Sequence, residues 1–296
     1  MCLMMNHRKV IILILVCISE TLSCHSQRWH NFKTTYKLLP WNGFYSQPKL
    51  MSTAIRKGWL QVGSCNQSDR TYPGERFIRN VKYNNIILIY DINGKIAGIQ
   101  SVVEKRFDNN PFRNYENDSM YQHYRFDDGY EVYVTTAYFV DPEIICDGGR
   151  SKEDFAIEGT GNTLIFQNGS TIDKKNLIIA PSTASEALTL KEKWNIHRCF
   201  INMGLHFNKW GYDESENCSG SFPASLLYSG GYLSGFVWQH FGKFKGDRYE
   251  HPPSIFLSFM YRQPPSCLYE AQQTIGLSYM HVYFLSPYTL CILSNV

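Results

Sequence analysis

Histidine is the side chain best suited to chemistry near neutral pH, and this sequence places it unevenly. Five of the nine histidines, His197, His206, His240, His251 and His281, fall in the second half, whereas residues 48–146 hold only His123. Neutral imidazole is a common metal ligand, and three such ligands suit zinc or copper. Three of His206, His240, His251 and His281 could therefore form a metal centre, with Glu250 beside His251 as base or further ligand. Spacing argues for a plainer role. No HExxH or HxH occurs, and the settings LHF, QHF, EHP and MHV suit ring stacking or a buried hydrogen bond. The sequence thus requires no cofactor.

Carboxylates offer a second chemistry. Asp213, Glu214 and Glu216 follow Trp210 and Tyr212, and Asp247 and Glu250 flank Arg248 and Tyr249. Two carboxylates lined by aromatics can hydrolyse a glycosidic bond when held about 5–10 Å apart; acidic runs on loops are more often solvated faces. A serine nucleophile finds little support. No GxSxG occurs, and Ser234 in GYLSGF is out of frame for a nucleophile elbow. A cysteine nucleophile is disfavoured because the remaining cysteines can all pair.

The elements that carry these residues belong outside the cell. His7, Arg8 and Lys9 precede the apolar run Val10–Ile18, and small residues including Ser23 and Ser26 follow. Residues 1–23 therefore read as a secretory signal peptide. The run is shorter than the roughly 20 residues of a membrane span, and no later segment reaches that length, so no stable membrane insertion is expected after cleavage. Net charge is +3, from 29 Lys+Arg against 26 Asp+Glu, which supplies no basic face for nucleic acid. The 20 tyrosines and 18 phenylalanines favour strands and large side-chain cores.

Cys24 lies at the expected cleavage edge. Beyond it stand Cys65, Cys146, Cys199, Cys218, Cys267 and Cys291. Six cysteines allow fifteen pairings, but the sequence repeats itself and narrows them. YFVDPEIIC (138–146) is answered by YFLSPYTLC (283–291), and LIYDINGKIAGI (88–99) by LLYSGGYLSGF (226–236). Trp59, Cys65, Gly94 and Cys146 recur in order as Trp194, Cys199, Gly231 and Cys291. An ordered series at near-constant offset predicts a duplicated unit. Cys65–Cys146 then corresponds to Cys199–Cys291, leaving Cys218–Cys267. Four acceptor sequons, at Asn66, Asn117, Asn168 and Asn217, lie in polar, turn-like sequence and predict N-glycosylation.

The organisation read from this is a signal peptide (1–23), an aromatic lead-in (24–47), repeat unit 1 (48–146), a connector with a hairpin (147–180) and repeat unit 2 (181–296). Asn93-Gly94 between 86–91 and 96–103 is a hairpin signal, as is Gly230-Gly231 between 225–228 and 232–238. A further hairpin is expected around Asn168-Gly169. Ser52 is expected to cap a helix running to Trp59, and Thr183 with Glu186 to open one running to Trp194. Residues 106–129 read as a long surface loop, and 130–140, 255–261 and 278–285 as strands. Gly98 and Gly235 occupy equivalent strand positions, which predicts two matching close contacts. The fold class is α+β and β-dominated: two pseudo-repeated, mostly antiparallel units, each opened by a short helix, in one duplicated domain.

The function expected is that of a secreted, glycosylated, disulfide-bonded extracellular protein. It would be a non-catalytic binding or structural/secretion component with an extracellular ligand or protein as partner. Trp210, Tyr212, Trp238 and Tyr249 are the aromatics expected to make contact. The alternative is an extracellular metal-dependent enzyme or carboxylate hydrolase with its site in the second repeat.

Overall fold

Runs of β-branched and aromatic residues with few breaks, such as IILIY and EVYVTTAY, bury both faces of a strand once each face meets a covering layer. A computed structural model of the protein, which describes residues 28–36, 44–66, 71–79, 86–108, 110–190, 194–209, 215 and 217–288, builds two antiparallel sheets from such runs. In the first sheet β3 (Leu60–Gly63), β4 (Glu75–Ile78), β5 (Ile86–Tyr90), β6 (Ile96–Glu104), β8 (Glu131–Tyr138), β9 (Ile165–Gln167) and β10 (Leu177–Ile179) lie side by side in that order. The strand β7 (Gln122–Arg125) also pairs with β8. In the second sheet the order is β11 (Asn195–Phe200), β12 (Gly204–Asn208), β13 (Ala224–Ser229), β14 (Tyr232–Phe241) and β15 (Leu277–Tyr283). The short strands β1 (Lys33–Thr34) and β2 (Tyr45–Ser46) complete it.

The inner faces of the two sheets share one core. Phe166 of β9 meets Phe236 and Trp238 of β14 edge-on, with centroids 5.4 and 5.1 Å away, and Phe139 meets Phe284 at 5.1 Å. The outer faces are apolar too. Ile87, Val102, Val132 and Val134 pack under Tyr72 and Phe126. Val237, Tyr279 and Tyr283 pack under two helices, α5 (Ile255–Met260) and α6 (Ser266–Thr274). Every residue of β5 is consequently buried.

The two sheets are jointed alike. A short helix precedes each: α1 (Met51–Arg56) in the first and α4 (Ala184–Thr189) in the second, with α2 (Pro142–Ile145) and α3 (Lys152–Glu158) between them in the chain. The Tyr90 hydroxyl donates to the Pro48 carbonyl at 2.9 Å, and the Tyr228 hydroxyl to the Pro181 carbonyl at 2.7 Å. The Met51 amide donates to Gly94, and the Ala184 amide to Gly231, each at 2.9 Å. Gly98 pairs with Tyr138, and Gly235 with Tyr283. A Cβ on Gly98 would lie 2.7 Å from the Ala137 carbonyl oxygen, and one on Gly235 closer still to that of Val282. Both glycines permit the close approach expected of them.

Several expectations need correction. Residues 255–260 form a helix, not a strand: Leu257 and Met260, three apart, face the second sheet while Ile255 and Phe259 face outward. Leu50, not Ser52, is the cap residue of α1, and no side chain caps it. Thr183 does accept from the Glu186 amide, but α4 stops at Thr189. The stretch 106–129 is more than a surface loop. It contributes β7 and buries Phe112, Tyr115 and Tyr121. Pro142 ends β8 by occupying the first turn of α2, which Asp141 caps. Part of the lead-in joins the second sheet as β1 and β2, and part of the connector joins the first as β9 and β10.

Two disulfides fall as expected. Cys65–Cys146 joins residues 81 apart and Cys218–Cys267 residues 49 apart. Cys199 is also disulfide-bonded; its expected partner Cys291 lies outside the described residues. Among the described residues, no helix is long and apolar enough to cross a membrane.

Candidate functional site

His240 of β14 points between the sheets and is fully buried. Its Nε2 lies 2.8 Å from Ser101 Oγ of β6, and its Nδ1 lies 3.0 Å from the Tyr121 hydroxyl. Ser101 Oγ is 2.9 Å from the Tyr249 hydroxyl, which sits 2.6 Å from the Val102 carbonyl. A carbonyl only accepts, so the single Tyr249 proton goes there. The chain then orders itself: Ser101 donates to Tyr249, His240 Nε2–H donates to Ser101, and Tyr121 donates to His240 Nδ1. This assignment follows from the network. It leaves Ser101 facing an imidazole N–H, with no lone pair to take its proton, so the serine is not activated as a nucleophile. Burial, with a smaller push from the Arg113 charge, holds the His240 pKa down to about 3. The network stitches one sheet to the other.

The other three histidines considered as ligands, His206, His251 and His281, lie on the outer side of the second sheet, each with its own partner. His281 Nδ1 of β15 donates to Glu250 Oε2 at 2.5 Å, and the Tyr36 amide donates to Glu250 Oε1 at 2.5 Å. Glu250 is held there by paired backbone bonds to Tyr279. Burial beside the Glu250 carboxylate raises the Tyr36 hydroxyl to about 12. His206 Nδ1 of β12 donates to the Arg198 carbonyl at 3.1 Å. Burial first, then the nearby His281, lowers its pKa to about 3. His251 Nδ1 lies 3.0 Å from the Leu277 carbonyl. The expected metal ligands thus divide between an inner and an outer face. Among the described residues, no three or more His, Cys, Asp or Glu side chains group to hold a metal ion.

The carboxylates are likewise separate. Asp247 pairs with Arg248 at 2.8 Å, and Arg248 lies over the Tyr45 ring, while Glu250 serves His281. Trp210, Tyr212, Asp213, Glu214 and Glu216 lie outside the described residues. Trp238 and Tyr249 are core residues, at 0% and 6% exposure, and present no contact surface. Their apolar bulk fills the space between the sheets, which is why contact with a partner does not suit them.

Two surface features stand where the sequence did not point. The first is an aromatic patch on α5. The rings of Phe200, Phe256 and Phe259 touch one another at centroid distances of 5.8, 6.4 and 6.0 Å. Phe259 is 49% exposed and Ile255 60%. The three-residue spacing of Phe256 and Phe259 was the available signal, but an apolar run this short reads equally well as a strand. The second is an open groove of about 530 Å³ whose lining includes Arg113, Asn117, Ser119, Lys209, Ser219 and Phe222. It carries two predicted sequons in its wall, those of Asn117 and Asn217. Asn66 and Asn217 are exposed, and Asn168 accepts at Oδ1 from the Ser119 hydroxyl at 2.5 Å.

Comparison with known proteins adds no relative to this geometry: no family model, no curated protein and no solved structure matches the chain.

Proposed function

We propose that this chain is a secreted, glycosylated, disulfide-bonded extracellular protein that works without catalysis, as a binding or structural/secretion component. In this reading its two sheets descend from one duplicated unit, and no cofactor is assigned. The observation that carries the extracellular setting is the pair of crosslinks, Cys65–Cys146 and Cys218–Cys267, because disulfides of this kind persist in oxidising compartments. Duplication is supported by the common strand order and by the matching bonds of Tyr90 with Tyr228 and of Met51 with Ala184. A non-catalytic role is supported by the proton order at His240, which leaves Ser101 without a base. It is also supported by the exposed aromatic patch of α5, since clustered apolar surface marks contact with other molecules.

The test is expression of the full chain in a eukaryotic secretory host. The expected result is recovery from the medium with both crosslinked peptides intact and with sugar on its sequons. Retention in the cell as a reduced, unmodified protein would overturn the reading. So would hydrolytic or metal-dependent activity that is lost on replacing His281 or Glu250.

A further inference from the structure

The groove beside Asn117 is built as well as open. Its floor is Arg113, which is 3% exposed and fixed on two sides. One guanidinium nitrogen donates to the Ser221 carbonyl at 2.5 Å and to the Ser221 hydroxyl at 3.0 Å, and the other pairs with Asp118. Its Nε, also buried, has no hydrogen-bond partner among the described residues. Phe222 and Met120 supply an apolar wall, and Ser119, Ser219 and Asp118 supply hydrogen-bonding groups. Such alternation of flat apolar surface with polar groups suits a sugar ring, which has one face of C–H bonds and a rim of hydroxyls. The volume of about 530 Å³ falls within the roughly 300–1,000 Å³ of small-ligand sites.

One of the expected sequons, that of Asn117, lies in this wall. The Asn117 amide donates to Asn114 Oδ1 at 3.1 Å, and the segment is tied to the second sheet by Asn110 and Tyr115, both donating to the Phe241 carbonyl at 2.8 Å. Asn117 is therefore fixed relative to the groove it lines. We infer that the groove is the seat of the protein's own N-linked glycan at Asn117, with the first sugars lying against Phe222 above Arg113. This rests on the secretory reading, because only that route attaches the glycan. A short tether sets a local concentration on the millimolar scale, so an intrinsic affinity of about 0.1 mM keeps the seat roughly nine-tenths filled.

The experiment uses the full-length secreted protein and a peptide N-glycosidase, following each site by glycopeptide mass spectrometry. In the native state the Asn117 glycan should be released about tenfold more slowly than the one on exposed Asn66, the ratio expected of a seat filled nine-tenths of the time. After denaturation the two rates should agree. Gly220 borders the groove and has open space where a side chain would stand. Gly220→Arg should fill the seat and bring native release at Asn117 up to the Asn66 rate, while leaving Asn66 unchanged. Equal native rates in the unsubstituted protein overturn the inference without touching the secretory reading. So does an unmodified Asn117 beside modified Asn66 and Asn168. Absence of sugar at every sequon overturns both.

Discussion

Burying two neutral imidazoles makes this fold sensitive to acid in a window where carboxylates still hold their charge. His206 and His240 are each held down to about 3 in the folded protein, desolvation being the largest cause. In the unfolded chain they titrate near 6.5. Between those values the unfolded state binds more protons, so stability falls as pH falls below 6.5 and is fully present above it. Both rings are fully buried, so solvent screening takes little from the effect. Each group contributes about 1.4 kcal/mol per pH unit, and moving from pH 7 to pH 5 removes about 2 kcal/mol per histidine, or about 4 kcal/mol together. That is a large share of the 5–15 kcal/mol typical of a domain.

The assay is urea unfolding at pH 7, 6 and 5 with disulfides intact, read by tryptophan fluorescence, since Trp29, Trp59, Trp194 and Trp238 are all buried. His240→Gln removes one titrating ring while keeping a donor and an acceptor for Ser101 and Tyr121. The variant starts less stable at pH 7, by about 1–3 kcal/mol for an imperfect network. Its slope against pH, however, should fall to about half that of the unsubstituted protein. A flat stability between pH 7 and 5, or a His240→Gln slope equal to the original, would refute the buried-neutral account.

Three further outcomes follow from packing and crosslinks. Replacing Cys218 and Cys267 together with Ala should cost about 2–5 kcal/mol, seen as a lower urea midpoint. Gly235→Ala drives a methyl into the Val282 carbonyl and should cost about 1–3 kcal/mol or more, whereas Gly220→Ala, which faces open space, should leave thermal midpoints unchanged. The Tyr115 hydroxyl both donates to the Phe241 carbonyl and accepts from its amide, at 2.8 Å each. Tyr115→Phe therefore orphans a buried backbone amide and should destabilise by about 1–3 kcal/mol, with faster hydrogen exchange at Phe241.

Local chemistry made some elements legible and hid others. Asn93-Gly94 and Gly230-Gly231 force a turn because residues with positive φ must sit there, and Gly94, Gly230 and Gly231 take φ of +74°, +58° and +83°. Thr183 with Glu186 announces a helix start for the same local reason. The segment IFLSFM was ambiguous because six apolar and small residues carry no decisive period; the helix wins only because Leu257 and Met260 can cover the second sheet. Strands as short as β1 and β2 have no signature of their own and exist because an edge of β15 was available to pair. The histidines show the limit most clearly. Their count and neighbours could be read, but which side of a sheet each faces depends on register, and register separates His240 from His206 and His281. The serine opposite His240 comes from the other sheet and carried no mark in the sequence.

The matched joints also let the two sheets be compared position by position. Gly98 and Gly235 hold the same place in their strands, so Ser101 is the counterpart of Trp238, and Val103 that of His240. A symmetric pair of units would set serine against valine or tryptophan against histidine twice over. The present chain instead sets Ser101 of one sheet against His240 of the other, a contact with no mirror image. Such a network specifies the partner: a first sheet meets a second, while two first sheets facing each other would bury serines with no imidazole to satisfy them. Leaving a buried hydroxyl unpaired costs about 1–3 kcal/mol, enough to bias the sheets toward pairing within one chain. The Ser101–His240 contact thus favours a first sheet against a second and closes the molecule on itself.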